Sequence, residues 1–560
     1  MSHQAVPSRP WLAGYPNAVP ADIDVPLLPT LAELIVRSSQ EFADKPAFIS
    51  FGKTLTFREI GAAASAIAGY LQAQGFRKGD RIAIMMPNVM AYPAVMFGCL
   101  IGGYTVVNVN PLYTVRELTH QINDSGAEAI FVLENFASVV AEALPHTNLK
   151  KVVIAQAGDL LGLKGKIVSF VAKYVKKVVP AYTLPAATML PDALRAGAAA
   201  GMKPVDVTLD DLAFLQYTGG TTGVSKGAAL THRNVAANVV QCDAFLGWAI
   251  RPVPDNVMVT ALPLYHIFAL TCCCLFMMRI GAACLLIANP RDIPGFIGIL
   301  QKTRFTLMSG VNTLYNALAN HPDIRKVDFS NLKFCVAGGM ATQSAVAKNW
   351  KSVTGCSIVE GYGLSETSPV LTINRPDLPE FSGTIGYPMP STDIELRDAD
   401  GKAVPMGEAG EICARGPQVM PGYWQRPDET AKVMTADGFF RTGDIGVQLP
   451  DGTFKIVDRL KDMILVSGFN VYPNEVEEVI AQHPGVLEVA VIGVPDPQST
   501  EAVAAYIVKK DPDLDAETIR AHCRTTLTAY KVPRVIHFRE ALPKTNVGKV
   551  LRRMLREPAA

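Results

Sequence analysis

The chain has 560 residues, of which 49% are hydrophobic and 18% charged, with 52 Lys and Arg against 51 Asp and Glu. This length and composition exclude a disordered chain and provide for roughly two to four domains or subdomains around large apolar cores. The net charge of +1 at pH 7 gives no overall attraction for nucleic acid, so any anionic ligand has to be recognised locally.

The cysteines and the N-terminus indicate the compartment. The ten cysteines are scattered singly except for Cys272–Cys274, without the Cys-x-x-Cys or Cys/His spacing of zinc sites. The N-terminal stretch is rich in proline and lacks the basic start and apolar core of a signal peptide. We therefore expect reduced, mostly buried thiols, a cytoplasmic location and no nucleic acid partner.

The first quarter of the chain predicts alternating strands and helices. A first helix begins in Leu28–Arg37, and Pro46–Phe51 with Lys53–Phe57 predicts a hairpin turning at Gly52. Strand and helix patterns then alternate along Arg81–Met86, Ala91–Leu100, Tyr104–Val109, Val115–Asn123 and Ala129–Leu133. This order is typical of βαβ units and predicts an α/β fold with a mostly parallel, helix-covered sheet.

A basic amphipathic segment interrupts the alternation between Leu160 and Pro185. Its apolar residues recur at helical spacing and its lysines lie towards the other side: Ile167, Phe170, Val171, Tyr174 and Val178, against Lys166, Lys173, Lys176 and Lys177. Such a helix, within residues 162–180, can rest on an anionic membrane at about 1 kcal/mol per lysine near the headgroups. The alternative is a helix docked on the domain with solvated lysines, and the pattern does not separate the two.

Tyr217–Gly227 has the composition of a phosphate-binding loop, and it follows an apolar run that predicts a buried strand. Its glycines allow successive backbone N–H groups to converge on an anion, while hydroxyl groups and one lysine add donors and charge. The candidates are Thr218, Gly219, Gly220, Thr221, Thr222, Gly223 and Lys226. A Walker loop is excluded, because Lys226 lies between Ser225 and Gly227 and fits neither end of Gly-x4-Gly-Lys-Ser/Thr. A flexible surface loop remains the alternative.

The longest apolar run, Leu270–Ala288, contains Arg279 near its centre and Gly281 after it. A central Arg costs about 2.5 to 3.5 kcal/mol on membrane-insertion scales, so we expect a buried core helix followed by a strand. Further on, strands ending in glycines, Gly338-Gly339 and Gly361–Gly363, predict nucleotide contacts at the carboxyl edge of a sheet.

The pattern of predicted elements changes in the last third of the chain. Short strands and Gly/Pro turns between Gly383 and Val457 predict a β-rich subdomain that carries Arg441–Asp444. The charged run Asp458–Asp462 predicts a linker, and a compact α/β piece of about 100 residues follows it. That piece carries Gly468 and, near its end, Pro543-Lys-Thr-Asn-Val-Gly-Lys549.

In this order, these motifs resemble the adenylate-forming superfamily of acyl-CoA synthetases, nonribosomal-peptide adenylation domains and beetle luciferases, and are most similar to bacterial long-chain fatty-acyl-CoA ligases. The resemblance runs from about residue 28 to residue 556. It implies an N-terminal domain of stacked α/β sheets over residues 1–458, with its β-rich subdomain at about 383–458. It further implies a hinge linker at 459–462 and a small, mobile α+β lid domain at 463–560.

The resemblance also implies roles for individual residues. Thr218 to Lys226 matches the family's β,γ-phosphate loop, and Glu366, with Thr222 nearby, matches its Mg²⁺ ligand. Lys549 matches the adenylation lysine, Lys461 the hinge, and His266 a gate beside the substrate carboxylate. The remaining matches are adenine, ribose and pantetheine contacts: Gly338, Gly339, Tyr362, Gly363, Asp444, Arg459 and Gly468. Taken alone, Asp444 would cap a turn, Tyr362 and His266 would belong to the core, and Lys549 would be a solvated charge. Val311–Tyr315 is expected to line the acyl pocket.

The implied activity is ATP- and Mg²⁺-dependent conversion of a fatty acid to acyl-AMP with release of pyrophosphate, then transfer to coenzyme A. Long-chain acids are favoured; medium-chain or aromatic acids, and loading of a carrier protein instead of coenzyme A, stay open. Peripheral contact with the inner face of the cytoplasmic membrane and a homodimer stay open as well. A non-catalytic lipid- or nucleotide-binding protein would not need Lys226, Glu366, Asp444 and Lys549 together, and a kinase or ATPase would yield ADP rather than AMP.

Overall fold

The computed structural model describes residues 9–218, 225–467, 469–545 and 548–556, which form a mixed α/β fold, as predicted. The helices are α1 (Leu31–Glu41), α2 (Phe57–Ala73), α3 (Ala91–Ile101), α4 (Val115–Ser125), α5 (Ala137–Ala143), α6 (Leu163–Phe170), α7 (Leu190–Ala200), α8 (His232–Ile250), α9 (Phe276–Ile280), α10 (Ile293–Leu300), α11 (Asn312–Ala319), α12 (Ser344–Thr354), α13 (Pro427–Val433), α14 (Pro473–Ala481), α15 (Ala516–Arg524) and α16 (Arg552–Arg556).

The strands are β1 (Pro46–Ser50), β2 (Lys53–Thr56), β3 (Arg81–Met85), β4 (Thr105–Asn108), β5 (Ala129–Leu133), β6 (Lys151–Ala155), β7 (Thr188–Met189), β8 (Leu212–Thr218), β9 (Lys226–Thr231), β10 (Val257–Thr260), β11 (Ala283–Leu286), β12 (Leu307–Gly310), β13 (Phe334–Ala337), β14 (Ile358–Gly363), β15 (Val370–Ile373), β16 (Tyr387–Pro388), β17 (Asp393–Arg397), β18 (Ala409–Arg415), β19 (Gly422–Tyr423), β20 (Phe440–Gln448), β21 (Phe454–Arg459), β22 (Ile464–Val466), β23 (Phe469–Val471), β24 (Val486–Asp496), β25 (Thr500–Lys509) and β26 (Val535–Arg539).

Local sequence explains where several helices begin. α1, α2 and α4 each follow a Thr-x-x-Glu capping box, in which the threonine side chain and the glutamate carboxylate each accept a backbone N–H: Thr30 with Glu33, Thr56 with Glu59 and Thr114 with Glu117. Thr231 and Asn234 cap α8 in the same way. Since a cap of this kind contributes about 1 kcal/mol, these starts are encoded within four residues of the chain.

Two large sheets carry the first part of the chain. One has the strand order β2-β1-β11-β10-β12-β13-β14-β15-β16 and the other β7-β6-β5-β3-β4-β8-β9-β19. Their central strands pair in parallel, and β1 with β2 forms the predicted hairpin around Gly52. One hydrophobic cluster contains side chains of both sheets and of α3, every residue of which is buried. The two sheets therefore share a core.

Two smaller sheets follow. β17, β18, β20 and β21 form an antiparallel sheet, and the last part of the chain forms the sheet β23-β22-β25-β24 with β26 beside β25. The last part also has a hydrophobic cluster of its own, from Ile464 to Val532. Separate cores are what independent folding units require, but the domain boundaries near residues 383, 458 and 463 remain a prediction.

The apolar run around Arg279 is a core segment, as predicted. Ala269–Leu275 is π-helical and continues into α9, and β11 follows in the sheet. The Arg279 guanidinium donates to the Asp243 carboxylate on α8 at 2.8 Å, which satisfies the charge at the edge of the core. Within the described residues, no helix combines the length and the apolarity needed to cross a membrane.

The amphipathic segment is helical, but its apolar side chains face outward. α6 continues into the π-helical turn Val171–Val175. A glycine-to-glycine approach of Gly165 to Gly158 and an ion pair of Lys173 with the buried Glu134, at 2.6 Å, hold it to the protein. Its exposed apolar side chains are Leu163, Ile167, Phe170, Tyr174, Val175 and Val178, and its exposed lysines are Lys164, Lys166, Lys176 and Lys177. The helix is therefore docked on the protein with four solvated lysines, while much of its apolar face stays exposed.

Candidate active site

Lys549 reaches the carboxyl end of β13 from the C-terminal part of the chain. Its side chain runs over Gly339, where an added Cβ would lie 3.2 Å from Lys549 Cε and 3.7 Å from Nζ. The positive φ of Gly339 (+81°) and this approach both favour glycine there. The Thr313 hydroxyl donates to the carbonyl oxygen of Gly548 at 3.0 Å and fixes the approach of the tail. Residues far apart in sequence thus meet at the predicted nucleotide edge.

Several predicted site residues act on Lys549 electrostatically. Its pKa is lowered to about 8, mainly by burial and next by the Arg459 guanidinium, while the carboxylates of Asp444 and Glu366 act in the opposite direction. The predicted hinge residue Lys461 also lowers this pKa. Lys549 therefore stays mostly cationic at pH 7 and loses its charge as the pH rises through 8, and a neighbouring anion would raise its pKa.

Asp444, Arg459 and Tyr362 form one hydrogen-bonded group. The Tyr362 hydroxyl donates to Asp444 Oδ2 at 2.7 Å, and Arg459 Nε lies 3.2 Å from Asp444 Oδ1. Cross-strand pairing of Asp444 on β20 with Arg459 on β21 produces this geometry, while β14 supplies Tyr362. Burial raises the pKa of Tyr362 well above its usual value, so the hydroxyl stays a donor. Asp444 is thereby held in one orientation with its carboxylate partly neutralised.

Glu366 is a buried carboxylate, 8% exposed, in the turn after β14. Its Oε1 accepts a hydrogen bond from the Tyr423 hydroxyl at 2.8 Å, and its backbone carbonyl accepts from Met420 N at 2.8 Å. Burial raises the pKa of Glu366 and the Tyr423 hydroxyl opposes that rise. One carboxylate oxygen of Glu366 is thus hydrogen-bonded. A buried carboxylate of this kind fits the role of a protein ligand to a cation whose other ligands come from a bound nucleotide and water.

The predicted phosphate loop lies between two paired strands. Thr218 at the end of β8 pairs with Lys226 at the start of β9 in an antiparallel register. Gly219, Gly220, Thr221, Thr222 and Gly223 lie outside the described residues, as does Gly468. Lys226 forms an ion pair with Glu429 and lies 5.4 Å from the ring centre of Tyr423.

A cavity joins the Lys549 end of the site to an apolar end. Gly338, Gly339, Tyr362, Gly363, His266 and Lys549 line the first part. Gly363 also packs so closely on the Pro369 carbonyl that a Cβ would lie 1.8 Å from the oxygen. Burial and Lys549 lower the pKa of His266 to about 3, so its imidazole is neutral at physiological pH. His266 therefore offers a neutral ring, not a cation, beside Lys549.

The apolar end of the cavity is lined by one face of α8 and by Met258 and Phe276. The α8 residues are Cys242, Leu246 and Ile250, spaced four apart and spanning about 12 Å of helix. Val311–Tyr315, which we expected to line the acyl pocket, does not belong to this lining; the buried Tyr315 hydroxyl instead donates to the Val336 carbonyl at 2.9 Å. The placement of Val311–Tyr315 at the acyl pocket came from the resemblance and stays a prediction.

The structure also brings in residues that sequence reasoning missed. Tyr423 contacts Glu366, and Glu429 contacts Lys226. Arg552 lies beside the hinge, with its guanidinium 2.7 Å from Glu477 and 3.4 Å from Asp462. Arg552 is also 3.7 Å from the buried Asp458, and burial raises the pKa of Asp458 to about 6. The only signal in the sequence was that these residues lie near glycine-rich or catalytic motifs. Such nearness does not predict which residues they contact.

Comparison with known proteins shows the family of the chain. A family model described as AMP-binding enzyme matches residues 35–424, well over half of the chain, and a second, AMP-binding enzyme C-terminal domain, matches residues 475–549. The chain belongs to the AMP-binding enzyme family. This AMP-binding enzyme is 52% identical over 551 residues to the long-chain-fatty-acid–CoA ligase of Salmonella typhimurium, covering 98% of each chain.

Two further proteins are similar to this AMP-binding enzyme over nearly its whole length. The long-chain-fatty-acid–CoA ligase of Yersinia pestis is 52% identical over 549 residues, which covers 98% of this chain and 97% of that one. A crystal structure of a benzoate CoA ligase from Burkholderia xenovorans LB400 superposes with a TM-score of 0.81 at 27% identity, covering 95% of this chain and 100% of that one. The fold predicted from the motifs, an adenylate-forming α/β enzyme with a small C-terminal part, is confirmed by these comparisons.

Proposed function

We propose that this AMP-binding enzyme is an ATP-dependent ligase that activates long-chain fatty acids and transfers them to coenzyme A. The observation that carries the proposal is the single cavity that runs from Lys549, beside Glu366 and Asp444, to the apolar face of α8. Polar groups suited to a nucleotide and a carboxylate lie at one end, and a lining suited to an alkyl chain lies at the other. The curated relatives named for this activity support the same function.

In the first half-reaction a carboxylate oxygen of the fatty acid attacks the α-phosphorus of ATP, and pyrophosphate leaves. Negative charge grows on the phosphoryl oxygens, so the task of the protein is electrostatic. Lys549 would supply a cation at the acyl-phosphate junction, and Thr218 to Lys226 would bind the departing phosphates. Tyr362 would contact adenine, with Asp444 and Arg459 at the ribose hydroxyls, and neutral His266 would close the site beside the carboxylate.

Mg²⁺ fits this site as an ion held mainly by the nucleotide. Glu366 is buried and one of its oxygens accepts from Tyr423, which fixes the orientation of the carboxylate. Mg²⁺ in such sites is bound by one or two protein oxygens plus substrate phosphates. Glu366, with the Thr222 hydroxyl, would hold the ion, and the ion would neutralise phosphate charge. This assignment rests on the chemistry of Glu366.

In the second half-reaction the thiol sulfur of coenzyme A attacks the acyl carbon, and AMP leaves. Lys549 has no part in that step, so we propose that the segment from residue 463 onward rotates about Lys461 and withdraws it. Lys461 is exposed in the turn between β21 and β22, where a change in its backbone angles would reorient the segment that follows. Gly468 would then face the pantetheine arm.

Chain length follows from the apolar end of the cavity. Each CH₂ buried against the α8 face contributes about 0.8 kcal/mol before ordering costs, so eight extra carbons contribute about 6 kcal/mol. A lining of Leu246, Ile250, Met258 and Phe276 without a polar side chain among them favours alkyl chains over hydroxylated aromatic acids. Medium-chain or aromatic acids, and a carrier protein as acceptor, are the competing outcomes of the test.

The test is a panel of acids from acetate to oleate, with coumarate, incubated with ATP, Mg²⁺ and coenzyme A while AMP and thioester are measured together. We expect equal yields of AMP and thioester, with the largest kcat/KM on long-chain acids. Acyl-AMP without thioester would indicate a carrier protein as acceptor, and ADP would indicate γ-phosphate transfer. Absence of pyrophosphate with every acid would refute the proposal.

We further propose that this enzyme is cytoplasmic and docks on anionic membrane surfaces through residues 162–180. The outward apolar side chains of α6, Ile167 and Phe170, are 66% and 57% exposed, and four exposed lysines surround them. An apolar face rimmed by lysines complements acyl chains below anionic headgroups. The ion pair of Lys173 with Glu134 holds the helix in this orientation.

Flotation with vesicles tests the membrane contact. The double variant Ile167→Ser and Phe170→Ser should lose binding to vesicles that contain phosphatidylglycerol, while Leu27→Ser, which removes another highly exposed apolar side chain, should not. Binding that is equal for all three proteins would overturn this contact without touching the ligase assignment. A homodimer also stays a proposal, for which light scattering across a concentration series is the measurement.

A further inference from the structure

A short strand from the β-rich region is joined to the sheet that carries the phosphate loop. β19 pairs antiparallel with β9, with Gly422 opposite Ala229 and Tyr423 opposite Ala228. The pairing is continued by Trp424 N, which donates to the carbonyl of Gly227 at 2.8 Å. These backbone bonds place the Tyr423 side chain between the two charged groups that face the proposed triphosphate site.

Tyr423 contacts both of these groups. Its hydroxyl donates to Glu366 Oε1 at 2.8 Å, and Lys226 Nζ lies 5.4 Å from the centre of its ring. A cation over an aromatic face is attracted by the negative charge density of the ring. Tyr423 therefore restrains the carboxylate through a hydrogen bond and supports the lysine through its ring.

Glu429 on α13 provides the counter-ion. Its carboxylate forms ion pairs with Lys226 and with Lys432, and it is partly shielded from solvent. The positive charge of Lys226 is thus engaged by a carboxylate of this chain. A phosphate oxygen that approaches Lys226 meets the negative charge of Glu429, so the two anions compete for one ammonium group.

We propose that Tyr423 and Glu429 are positioning residues for ATP: Tyr423 holds Glu366 in the orientation that receives the cation, and Glu429 holds Lys226 until phosphate replaces it. This inference rests on the proposed function, since it assigns a role to residues around the same triphosphate site. It predicts opposite effects, because removing Tyr423 OH loosens a group that ATP needs, whereas removing the Glu429 charge removes a competitor.

The experiment measures binding of an ATP analogue with a non-cleavable α,β-bridge to the full chain, as a function of Mg²⁺ concentration. Glu429→Gln should tighten binding about two- to five-fold, as expected for release of a partly exposed ion pair. Tyr423→Phe, which keeps the ring, should raise the Mg²⁺ concentration for half-maximal binding about ten-fold, as expected for a lost hydrogen bond to a charged group.

Matched controls separate these effects from general damage. Asp428→Asn removes an equal charge beside Glu429 without a contact to Lys226, and Tyr182→Phe removes a hydroxyl from the distant carboxylate of Glu134. Both should bind like the wild type. The gain from Glu429→Gln should vanish in a Lys226→Met background, because the competition acts through Lys226.

Three results would overturn the inference: unchanged or weaker binding by Glu429→Gln, a gain that persists without Lys226, or an unaltered Mg²⁺ dependence in Tyr423→Phe. Thermal unfolding of each variant shows whether a loss comes from folding instead. If the wild type itself fails to bind the analogue, the proposed function fails. If the wild type binds and the variants bind equally well, only the present inference fails.

Discussion

Replacing Lys549 by Ala should separate the two half-reactions. The pKa of Lys549 is about 8 instead of 10.5, mainly because of burial, so holding the cation there costs about 3 kcal/mol. That cost is recovered when phosphate and carboxylate oxygens arrive beside the ammonium group. Loss of a donor so placed typically lowers a rate by about 10² or more, which is the decrease we expect in acyl-AMP formation.

The assay measures each half-reaction by itself. Pyrophosphate release from fatty acid and Mg·ATP reports the first, and thioester formation from supplied acyl-AMP and coenzyme A reports the second. Lys549→Ala should lose the first and keep the second near the wild-type rate. Lys544→Ala is the matched control, since Lys544 lies on the same tail but pairs with Glu488 at 2.6 Å. It should retain both.

The pH profile provides a second readout of the same lysine. Because the pKa of Lys549 is lowered to about 8, its cationic fraction falls as pH rises through 8, and kcat/KM for ATP should fall with it. His266, with its pKa near 3, adds no step above pH 5. Lys549→Arg should flatten the alkaline limb because arginine stays charged. Equal loss of both half-reactions in Lys549→Ala would refute the reasoning.

Three further predictions follow from contacts in the site. Tyr362→Phe removes the hydroxyl that fixes Asp444 and should weaken binding of ATP by about ten-fold, measured as Kd, while Asp444→Ala should weaken it more. Leu246→Trp fills part of the apolar end, so kcat/KM on palmitate should fall about ten-fold relative to decanoate; an unchanged ratio would show that the chain lies elsewhere. Arg552→Leu leaves Glu477 and Asp462 without their shared cation, which should destabilise the segment after residue 463 by about 3 kcal/mol in urea unfolding.

Short-range patterns in the sequence predicted much of the secondary structure and the order of its motifs. The hairpin at Gly52, the βαβ alternation and the buried segment around Arg279 all follow from side-chain periodicity, turn residues and the cost of burying a charge. These signals act within about 20 residues, where hydrogen bonds and hydrophobic faces are encoded by neighbours in the chain. The motif-based resemblance added the site residues, because their types and order were distinctive.

Contacts between distant parts of the chain needed the tertiary structure. No local pattern states that β19 pairs with β9, yet this pairing brings Tyr423 to Glu366. The same holds for the outward orientation of Ile167 and its apolar neighbours, because an amphipathic repeat defines two faces without saying which one meets the protein. Strand pairing and helix docking are chosen by the total free energy of the packed core, to which every segment contributes, so no single segment of sequence determines them.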